Sequence, residues 1–451
     1  MNFFPQIRTL LFLACCFLLA ANEAVSQSEG EALIVSGQPL SLQKCVQIAL
    51  DDNPAIQAAR FGIKATQEAA DAAKSSYYPQ VDFSAGYHRW DRTIFLPDGL
   101  ERQDLPDTIG ETDEWNGRLS AWYTLYDSGR RRAELLAAEA TEQATSENAQ
   151  NVRQDIVLLV HESYFRLLEA KSSRAAAQDS LQRSEQHLSE AQKRFEAGDV
   201  TQADVLRARV DTADARLALV RAENALRIAR SNLNAAMGLH PMLPVTIEDR
   251  YPDPVSPDRV DLPWAIESAL KNRPEIRSAD HQSESARKRV DAAAGKYGPR
   301  LKVEGHYGRR EDQFFPDAED WSAGVSLNIP LFTGFERTHR VAESKALWRE
   351  SRAEKDRILQ EVRREVVEAF SRLQEAWQTV ETTRVMTLDA REGLRLMESR
   401  YSVNAATMTD LLDAETALAK AEAKNVEALA GQQIASARFL RSLGRLNAER
   451  Q

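Results

Sequence analysis

The chain has 451 residues, of which 43% are hydrophobic and 28% charged, and its formal net charge is −10 at pH 7. With a mean hydropathy of −0.47, this composition is typical of a soluble or amphipathic protein and excludes a bundle of membrane-spanning helices. An acidic chain also lacks the surplus of cations that phosphate contacts require, so no nucleic-acid partner is expected.

Residues 1–26 are predicted to be a signal peptide. Arg8 supplies a basic start, residues 10–21 form an apolar run too short to span a bilayer, and residues 24–26 are small enough for cleavage. The mature chain then opens with an N-terminal segment over residues 27–40.

The cysteines allow a second interpretation of this end of the chain. Cys15 and Cys16 raise the possibility of a lipidated N-terminus, but lipidation at either position would leave a very short apolar segment before it. After cleavage Cys45 would be the only remaining cysteine, so an internal disulfide is excluded.

Residues 41–240 are interpreted as the first copy of an internal repeat. Its first predicted helix runs from about Leu42 to Tyr77, is interrupted at Asn53-Pro54 and ends before Pro79. After two predicted strands, helix signals run from Gly129 to about Glu196 without a proline. At 1.5 Å per residue this second helix would be on the order of 100 Å long.

Four segments alternate apolar and polar residues with a period of two, which predicts amphipathic strands with one apolar face. Their apolar positions are Val81, Phe83, Ala85 and Tyr87; Leu119, Ala121, Tyr123 and Leu125; Leu301, Val303, Gly305 and Tyr307; and Val325, Leu327, Ile329 and Leu331. Aromatic residues at the strands suggest a girdle at a membrane interface, with a packed strand surface as the alternative: Trp90, Trp115, Trp122 and Trp321.

Residues 261–451 form the second copy, and residues 241–260, which hold five prolines, are predicted to be an extended linker. Positions 41–90 align without gaps with positions 261–310, and the alignment resumes where Trp115 matches Trp321. The first copy is longer between these two blocks, so its extra length falls in the segment 92–114. A length change confined to one segment marks a surface loop.

A coiled-coil seam is predicted in the second copy. Its apolar residues follow a 4-3-4-3 spacing, which is typical of helices that pack side by side along their length. The seam consists of Val366, Phe370, Leu373, Trp377 and Val380.

The predicted strands need strands from another chain if they enter a membrane. Four strands cannot close a barrel, open sheet edges are not tolerated in lipid, and outer-membrane barrels have at least about eight strands. The pattern therefore implies oligomerisation, without choosing the number of copies.

The duplicated order of helix, two strands and long helical hairpin resembles the TolC family of outer-membrane efflux proteins over essentially the whole mature chain. The openings of the two copies and the hairpin tips carry the same resemblance, with Ser41-Leu42…Ala49-Leu50…Asn53-Pro54, Arg194-Phe195-Glu196-Ala197-Gly198 and Arg400-Tyr401-Ser402-Val403-Asn404. It implies a mainly α fold with a small β part: internally duplicated long α-helical coiled-coil hairpins plus four amphipathic strands per chain. As a homotrimer, such chains would complete a 12-stranded β-barrel and an α-helical periplasmic tunnel.

The resemblance also implies a function. The chain would be a passive exit duct in the cell outer membrane, extending into the periplasm, for a tripartite efflux pump or a type I secretion system. Its partners would be a periplasmic adaptor (membrane fusion) protein, an inner-membrane pump of the RND or ABC class, and outer-membrane lipid. No cofactor, metal site or catalytic cluster is expected, so the chain is not expected to be an enzyme. The alternatives are a periplasmic coiled-coil scaffold or adaptor and an envelope hydrolase on a helical stalk.

Asp410 and Asp413 are one helical turn apart and therefore share a face. The resemblance implies that they face the lumen at the periplasmic entrance, where three copies would place six carboxylates that favour cations. The alternative is helix capping, because Thr407 to Asp410 matches a capping box.

The resemblance gives further roles to residues at the hairpin tips. Tyr401 and Asp204 would join neighbouring hairpins and hold the entrance shut, although Ala406 stands where the family usually has an arginine. Gly198 and Asn404 would contact the adaptor. A packed aromatic explains Tyr401 as well, and ordinary turns that need positive φ explain Gly198 and Asn404.

Overall fold

The computed structural model describes residues 38–91, 112–403 and 405–446. The predicted signal peptide, with Cys15 and Cys16, and most of the segment 92–114 lie outside them. Within these ranges the chain forms eight α-helices and four β-strands: α1 (Leu42–Asp52), α2 (Pro54–Ser75), β1 (Gln80–Arg89), β2 (Asp113–Tyr126), α3 (Arg130–Glu196), α4 (Gln202–Ala236), α5 (Leu262–Asn272), α6 (Pro274–Gly295), β3 (Arg300–Glu311), β4 (Glu319–Asn328), α7 (Glu336–Ser402) and α8 (Met408–Ser442).

The helices of the two halves match in length as well as in order. α1 and α5 have 11 residues each, α2 and α6 have 22, α3 and α7 have 67, and α4 and α8 have 35. Leu262 opens α5 as its aligned counterpart Leu42 opens α1. The duplicated hairpins that the sequence predicted are therefore confirmed.

The first predicted helix is in fact two. The Asn53 side chain accepts the backbone N–H of Ala55 at 2.8 Å, and Pro54 occupies the first position of α2, where a missing N–H breaks no helical hydrogen bond. The second helix ends at Ser75 rather than near Tyr77, in a turn that precedes β1. Local side-chain chemistry thus explains the interruption that the sequence indicated.

The long helices form a layer with two edges. In the half of the layer toward the tips, α3 contacts α4 on one side and α8 on the other, and α8 in turn contacts α7. α4 also reaches α8, where Arg207 donates to Thr409 at 3.2 Å, and toward the sheet α6 packs against both α3 and α7. α4 and α7 therefore lie at the edges, and each exposes a row of apolar side chains: Leu206, Val210, Leu217, Val220 and Ile228 on α4, and Val385, Leu388, Leu396 and Val403 on or just after α7. Helices at both edges of the layer are thus only partly covered within one chain.

The predicted seam on α7 is buried where it faces α8. Val366 and Leu373 are fully buried, and the ring of Phe370 lies 6.0 Å from that of Phe439 on α8. The spacing that indicated a coiled coil therefore marks the face along which α7 and α8 pack. Among the described residues, no helix combines the length and the apolar character that crossing a membrane would require.

The proline-rich segment 241–260 is extended but partly buried, not a solvated linker. Asn234 on α4 donates to the Leu243 carbonyl at 2.9 Å, and Gln433 on α8 donates to the Pro252 carbonyl at 2.7 Å. One short 3₁₀ turn, Pro257–Arg259, interrupts it. Carbonyls of this segment therefore accept hydrogen bonds from the C-terminal parts of α4 and α8, the second helices of the two hairpins, which we call the return helices. These bonds join the two copies.

The four strands form one antiparallel sheet in the order β1–β2–β3–β4, so β1 and β4 are its edges among the described strands. The register places Phe83, Leu119, Tyr307 and Trp321 in one row on the apolar face, and each is at least 51% exposed. The fourth strand is shorter than predicted, since it ends at Asn328. The apolar face of the sheet is thus open in a single chain.

The other face of the sheet is polar and carries an ion-pair cluster. Arg118 donates to Asp320 at 2.9 Å across Gly308, where a Cβ would meet the Gly117 carbonyl oxygen at 2.4 Å. The His306 ring lies 3.5 Å from the same Asp320 carboxylate. Glycine at position 308 therefore provides the space that lets charges from β2 and β4 meet.

The tryptophans do not all lie on the apolar face. Trp115 and Trp321 do, and Trp115 packs 4.5 Å from Tyr87, measured between ring centroids. Trp122 lies in the opposite alternation, in register with Gln80 on β1, and its ring receives the Lys302 ammonium at 5.4 Å. The interpretation of four tryptophans as one aromatic girdle is therefore wrong, because a period of two sends odd and even positions of β2 to opposite faces.

Candidate functional site at the hairpin tips

The two hairpins end in short connections. The first tip, residues 197–201, joins α3 to α4, and the second tip, residues 403–407, joins α7 to α8. Gly198 has a φ of +82°, and nothing lies within 4 Å of where its Cβ would stand. The backbone conformation, not lack of space, therefore favours glycine here. Its counterpart Asn404 lies outside the described residues.

Each return helix begins with a capping box. The Thr201 hydroxyl accepts the Asp204 N–H at 3.3 Å, and the Asp204 carboxylate accepts the Thr201 N–H at 3.0 Å. Thr407 and Asp410 make the same two bonds, at 3.2 and 2.9 Å. In each cap the threonine hydroxyl also donates to the aspartate carboxylate, at 2.7 Å. This bond and the one from the threonine N–H hold the pKa of Asp204 and of Asp410 below the usual value. Both aspartates therefore stabilise a helix start, whatever else they do.

Asp413 is exposed one turn beyond Asp410 and is not part of the cap. It lines a groove of about 410 Å³ between α4 and α8, together with the apolar side chains of Leu206 and Val210. Within the described residues it forms no ion pair, although Arg207 lines the same groove. Of the two predicted gate residues, Asp413 is thus the one whose position capping does not explain.

Tyr401 joins the two hairpins through Arg194 of α3. The Arg194 guanidinium lies 4.6 Å from the centre of the Tyr401 ring and donates to the Tyr401 carbonyl at 3.1 Å. Burial raises the pKa of the Tyr401 hydroxyl, which has no hydrogen-bond partner among the described residues. Asp204 bonds within its own cap and lies 3.6 Å from Arg207, so the two predicted latch residues do not bond each other within the chain.

An apolar cluster packs the two hairpins together behind the tips. Ala191 on α3, Ala208 on α4 and Leu411 on α8 are at most 1% exposed and belong to one apolar cluster with Tyr401. Ala406 packs partly buried against this cluster, at the position where an arginine would be expected. Apolar packing and the Arg194 contact therefore join the hairpins where that arginine is missing.

A buried ion pair, missed at the sequence level, lies further from the second tip. Arg183 on α3 donates to Glu415 on α8 at 2.7 Å, and its other nitrogen lies 4.0 Å from Glu422. The Glu415 side chain is only 4% exposed. The spacing of Glu415 in the sequence could have indicated this pair. Leu411, Glu415 and Leu418 occupy successive core positions of a heptad, where a charged residue is unusual.

A second cavity lies further along the hairpins. A groove of about 1240 Å³ runs between α3, α7 and α8. Some of its charged lining residues pair with one another, as Arg273 does with Glu275 at 2.6 Å and Arg441 with Asp155 at 2.8 Å. The described residues hold no group of three or more His, Cys, Asp or Glu side chains that could bind a metal ion.

Three comparisons with known proteins agree with this architecture. The family model described as outer membrane efflux protein matches residues 45–239 and 265–445. Protein CyaE of Bordetella pertussis is 30% identical over 315 residues, covering 68% of this chain and 63% of that protein, which is less than two thirds of its length. Outer membrane efflux protein BepC of Brucella suis is 24% identical over 451 residues, covering 98% of this chain and 93% of BepC.

The fold is shared with solved structures as well. The outer membrane protein VceC of Vibrio cholerae superposes with a TM-score of 0.76 at 20% identity, covering 89% of this chain and 96% of VceC. The family model, in turn, spans both duplicated halves and most of the chain. The chain therefore belongs to the outer membrane efflux protein family.

Proposed function

We propose that this chain is one subunit of a passive exit duct of the outer membrane, serving a tripartite efflux pump or a type I secretion system. One observation carries the proposal: a sheet with an exposed apolar face, whose edge strands pair with no other described strand, stands on helical hairpins on the order of 100 Å long. An exposed apolar sheet is unfavourable in water, whereas lipid would cover it.

The proposed duct is a homotrimer. Because β1 and β4 are open edges, identical chains can pair β4 of one copy with β1 of the next until the ring closes. Two copies would supply eight strands, whose interior is filled by side chains, while three would supply twelve and leave a lumen. The polar cluster of Arg118, His306 and Asp320 would then face the lumen, and the apolar face would contact outer-membrane lipid.

The tips form the periplasmic entrance in this proposal. Asp410 and Asp413 would supply the negative charge of the entrance, and Tyr401, with Asp204, would hold the hairpins in the closed arrangement. The contact of Arg194 with the Tyr401 ring supports this role for Tyr401, because it already joins the two hairpins.

The exposed ends of the hairpins would meet the partner proteins. The turns at Gly198 and Asn404 would contact a periplasmic adaptor, which connects the duct to an inner-membrane pump of the RND or ABC class. The name of the relative BepC, an outer membrane efflux protein, supports the efflux alternative.

Reconstitution of the full mature chain tests the proposal. Purified protein should require detergent, elute as a trimer and conduct ions in planar lipid bilayers. A soluble monomer obtained without detergent, and silent in bilayers, would instead support a periplasmic scaffold.

A further inference from the structure

Within each hairpin, one ion pair joins the two helices at equivalent positions, but with opposite charges. Glu185 on α3 accepts from Arg216 on α4 at 3.1 Å. At the aligned positions of the second copy, Arg391 on α7 donates to Glu422 on α8 at 3.0 Å. The duplication has therefore kept the contact while exchanging its acid and its base.

The exchange extends to the pair between the hairpins. Arg183 on α3 and Glu415 on α8 make the buried contact of 2.7 Å. The residue equivalent to Arg183 in the second copy is Asp389 on α7, and the residue equivalent to Glu415 in the first copy is Arg209 on α4. Asp389 and Arg209 could therefore form the equivalent ion pair, with the acid now on α7 and the base on α4.

This second pair cannot form within one chain. α4 and α7 lie at opposite edges of the helical layer, with α3 and α8 between them. Arg209 and Asp389 are both exposed, and neither has an ion-pair partner among the described residues. Each follows an exposed apolar residue by about one turn, since Leu206, which also lines the groove toward α8, and Val385 are each 49% exposed. Both edges therefore carry an uncompensated charge beside an uncovered apolar side chain.

We propose that α4 of one copy packs against α7 of the next, and that Arg209 pairs there with Asp389 of the neighbouring copy. The occupant of both edges is a second copy of this chain, because each copy carries both halves of the pair. The junction between chains then repeats the α3–α8 junction within the chain. This inference rests on the proposed oligomeric duct and specifies which helices and charges join its subunits.

Cysteine cross-linking tests the contact directly in the full-length protein. The variant R209C/D389C should form disulfide-linked chains, seen as a dimer and trimer ladder on non-reducing gels and lost on reduction. The matched control is D214C/D389C, because Asp214 is exposed but lies five residues beyond Arg209 and therefore on a different face of α4. It should remain monomeric on the same gels.

Charge reversal tests the pairing itself. R209E alone and D389R alone each place like charges at the junction, which should lower the association constant of the chains at least about tenfold. The double variant R209E/D389R restores opposite charges and should recover the wild-type oligomer in light scattering.

The outcomes separate this inference from the proposed function. The α4–α7 contact would be overturned, and the duct left intact, by either of two results in a protein that forms trimers. One is that R209C/D389C cross-links no better than the control. The other is that the double charge reversal fails to recover assembly. A wild-type chain that is monomeric in detergent would overturn the duct and the contact together.

Discussion

At the scale of single residues, the tip is organised by a few side chains with more than one partner. Asp410 completes a capping box, whereas Asp413, one turn away, is free of the cap. Arg194 both stacks on the Tyr401 ring and bonds its carbonyl. Capping and gating are therefore compatible at Asp410, and substitution of Asp413 is the cleaner probe of charge at the entrance.

Replacing Asp413 with Asn should weaken the block of conductance by multivalent cations applied from the periplasmic side. Three copies would converge there, and charges in a narrow opening interact more strongly than on an open surface because the effective dielectric is lower. Planar-bilayer recordings measure the block. Asp258→Asn, the same change at an exposed site far along the chain, is the control. Equal block in wild type and Asp413→Asn would leave Asp413 without a gate role.

His161 should make stability depend on pH. Burial in α3 lowers its pKa from 6.5 to about 4. Between those values the unfolded chain binds a proton that the native chain does not, so stability present above pH 6.5 is lost as the pH falls toward 4. The loss should reach up to about 3 kcal/mol.

The variant His161→Leu should remove this part of the pH dependence. Denaturant midpoints at pH 7 and about pH 4.5, inside the window where the unfolded chain is protonated, measure it. The exposed His339→Leu is the control that should behave like wild type. If the stability of His161→Leu depends on pH as strongly as that of the wild type, groups other than His161 cause the dependence.

At the scale of elements, each return helix ends against the break between two short helices. Gly238, after α4, has a φ of +79°, and a Cβ there would lie 2.7 Å from the Cα of Asn53. Gly444, after α8, meets Asn272 in the same way, at 2.9 Å from its carbonyl carbon. The ends of α4 and α8 therefore pack directly against the backbone at the two helix interruptions, Asn53-Pro54 and Arg273-Pro274.

Gly238→Ala should destabilise the protein by about 2–5 kcal/mol, since it combines left-handed strain with overpacking against backbone that cannot move aside. Gly393→Ala is the matched control: nothing lies within 4 Å of its Cβ position inside α7, so it should gain about 0.5–1 kcal/mol. Unfolding midpoints in guanidinium measure both. Equal midpoints for the two variants would contradict the close approach.

At the scale of the whole molecule, the tips and the strand connections lie at opposite ends of the described chain. The hairpins run from the sheet to the tips, and β3 and β4 are joined by a short connection at the far end of the sheet. A sheet in the outer membrane would therefore expose this connection to the cell exterior and keep the tips in the periplasm.

A cysteine at Asp317, in the β3–β4 connection, should react with a membrane-impermeant thiol reagent on intact cells. The Asp317 side chain is 89% exposed, so access depends only on the side of the membrane. A cysteine at Asp199, in the first tip, should react only after the outer membrane is permeabilised. The reverse pattern of labelling would invert the proposed orientation.

Local sequence patterns are enough to predict the duplication, the long helices, the faces of the strands and the capping boxes. Each depends on local periodicity, on the alignment of one copy with the other, or on a side chain bonding to nearby backbone. All of these can be recognised from the order of the residues alone. Trp122 is an exception, because the alternation of β2 turns it away from the apolar face that an aromatic girdle would need.

Which helices contact each other depends on packing that no local sequence pattern records. Three contacts join parts of the chain that are far apart in sequence or belong to different hairpins. They are the Arg183–Glu415 ion pair, the stacking of Arg194 on Tyr401, and the packing of residues 241–260 against α4 and α8. Local pattern shows that a helix face is apolar or charged, but not which face covers it, because that depends on the packing of the whole layer.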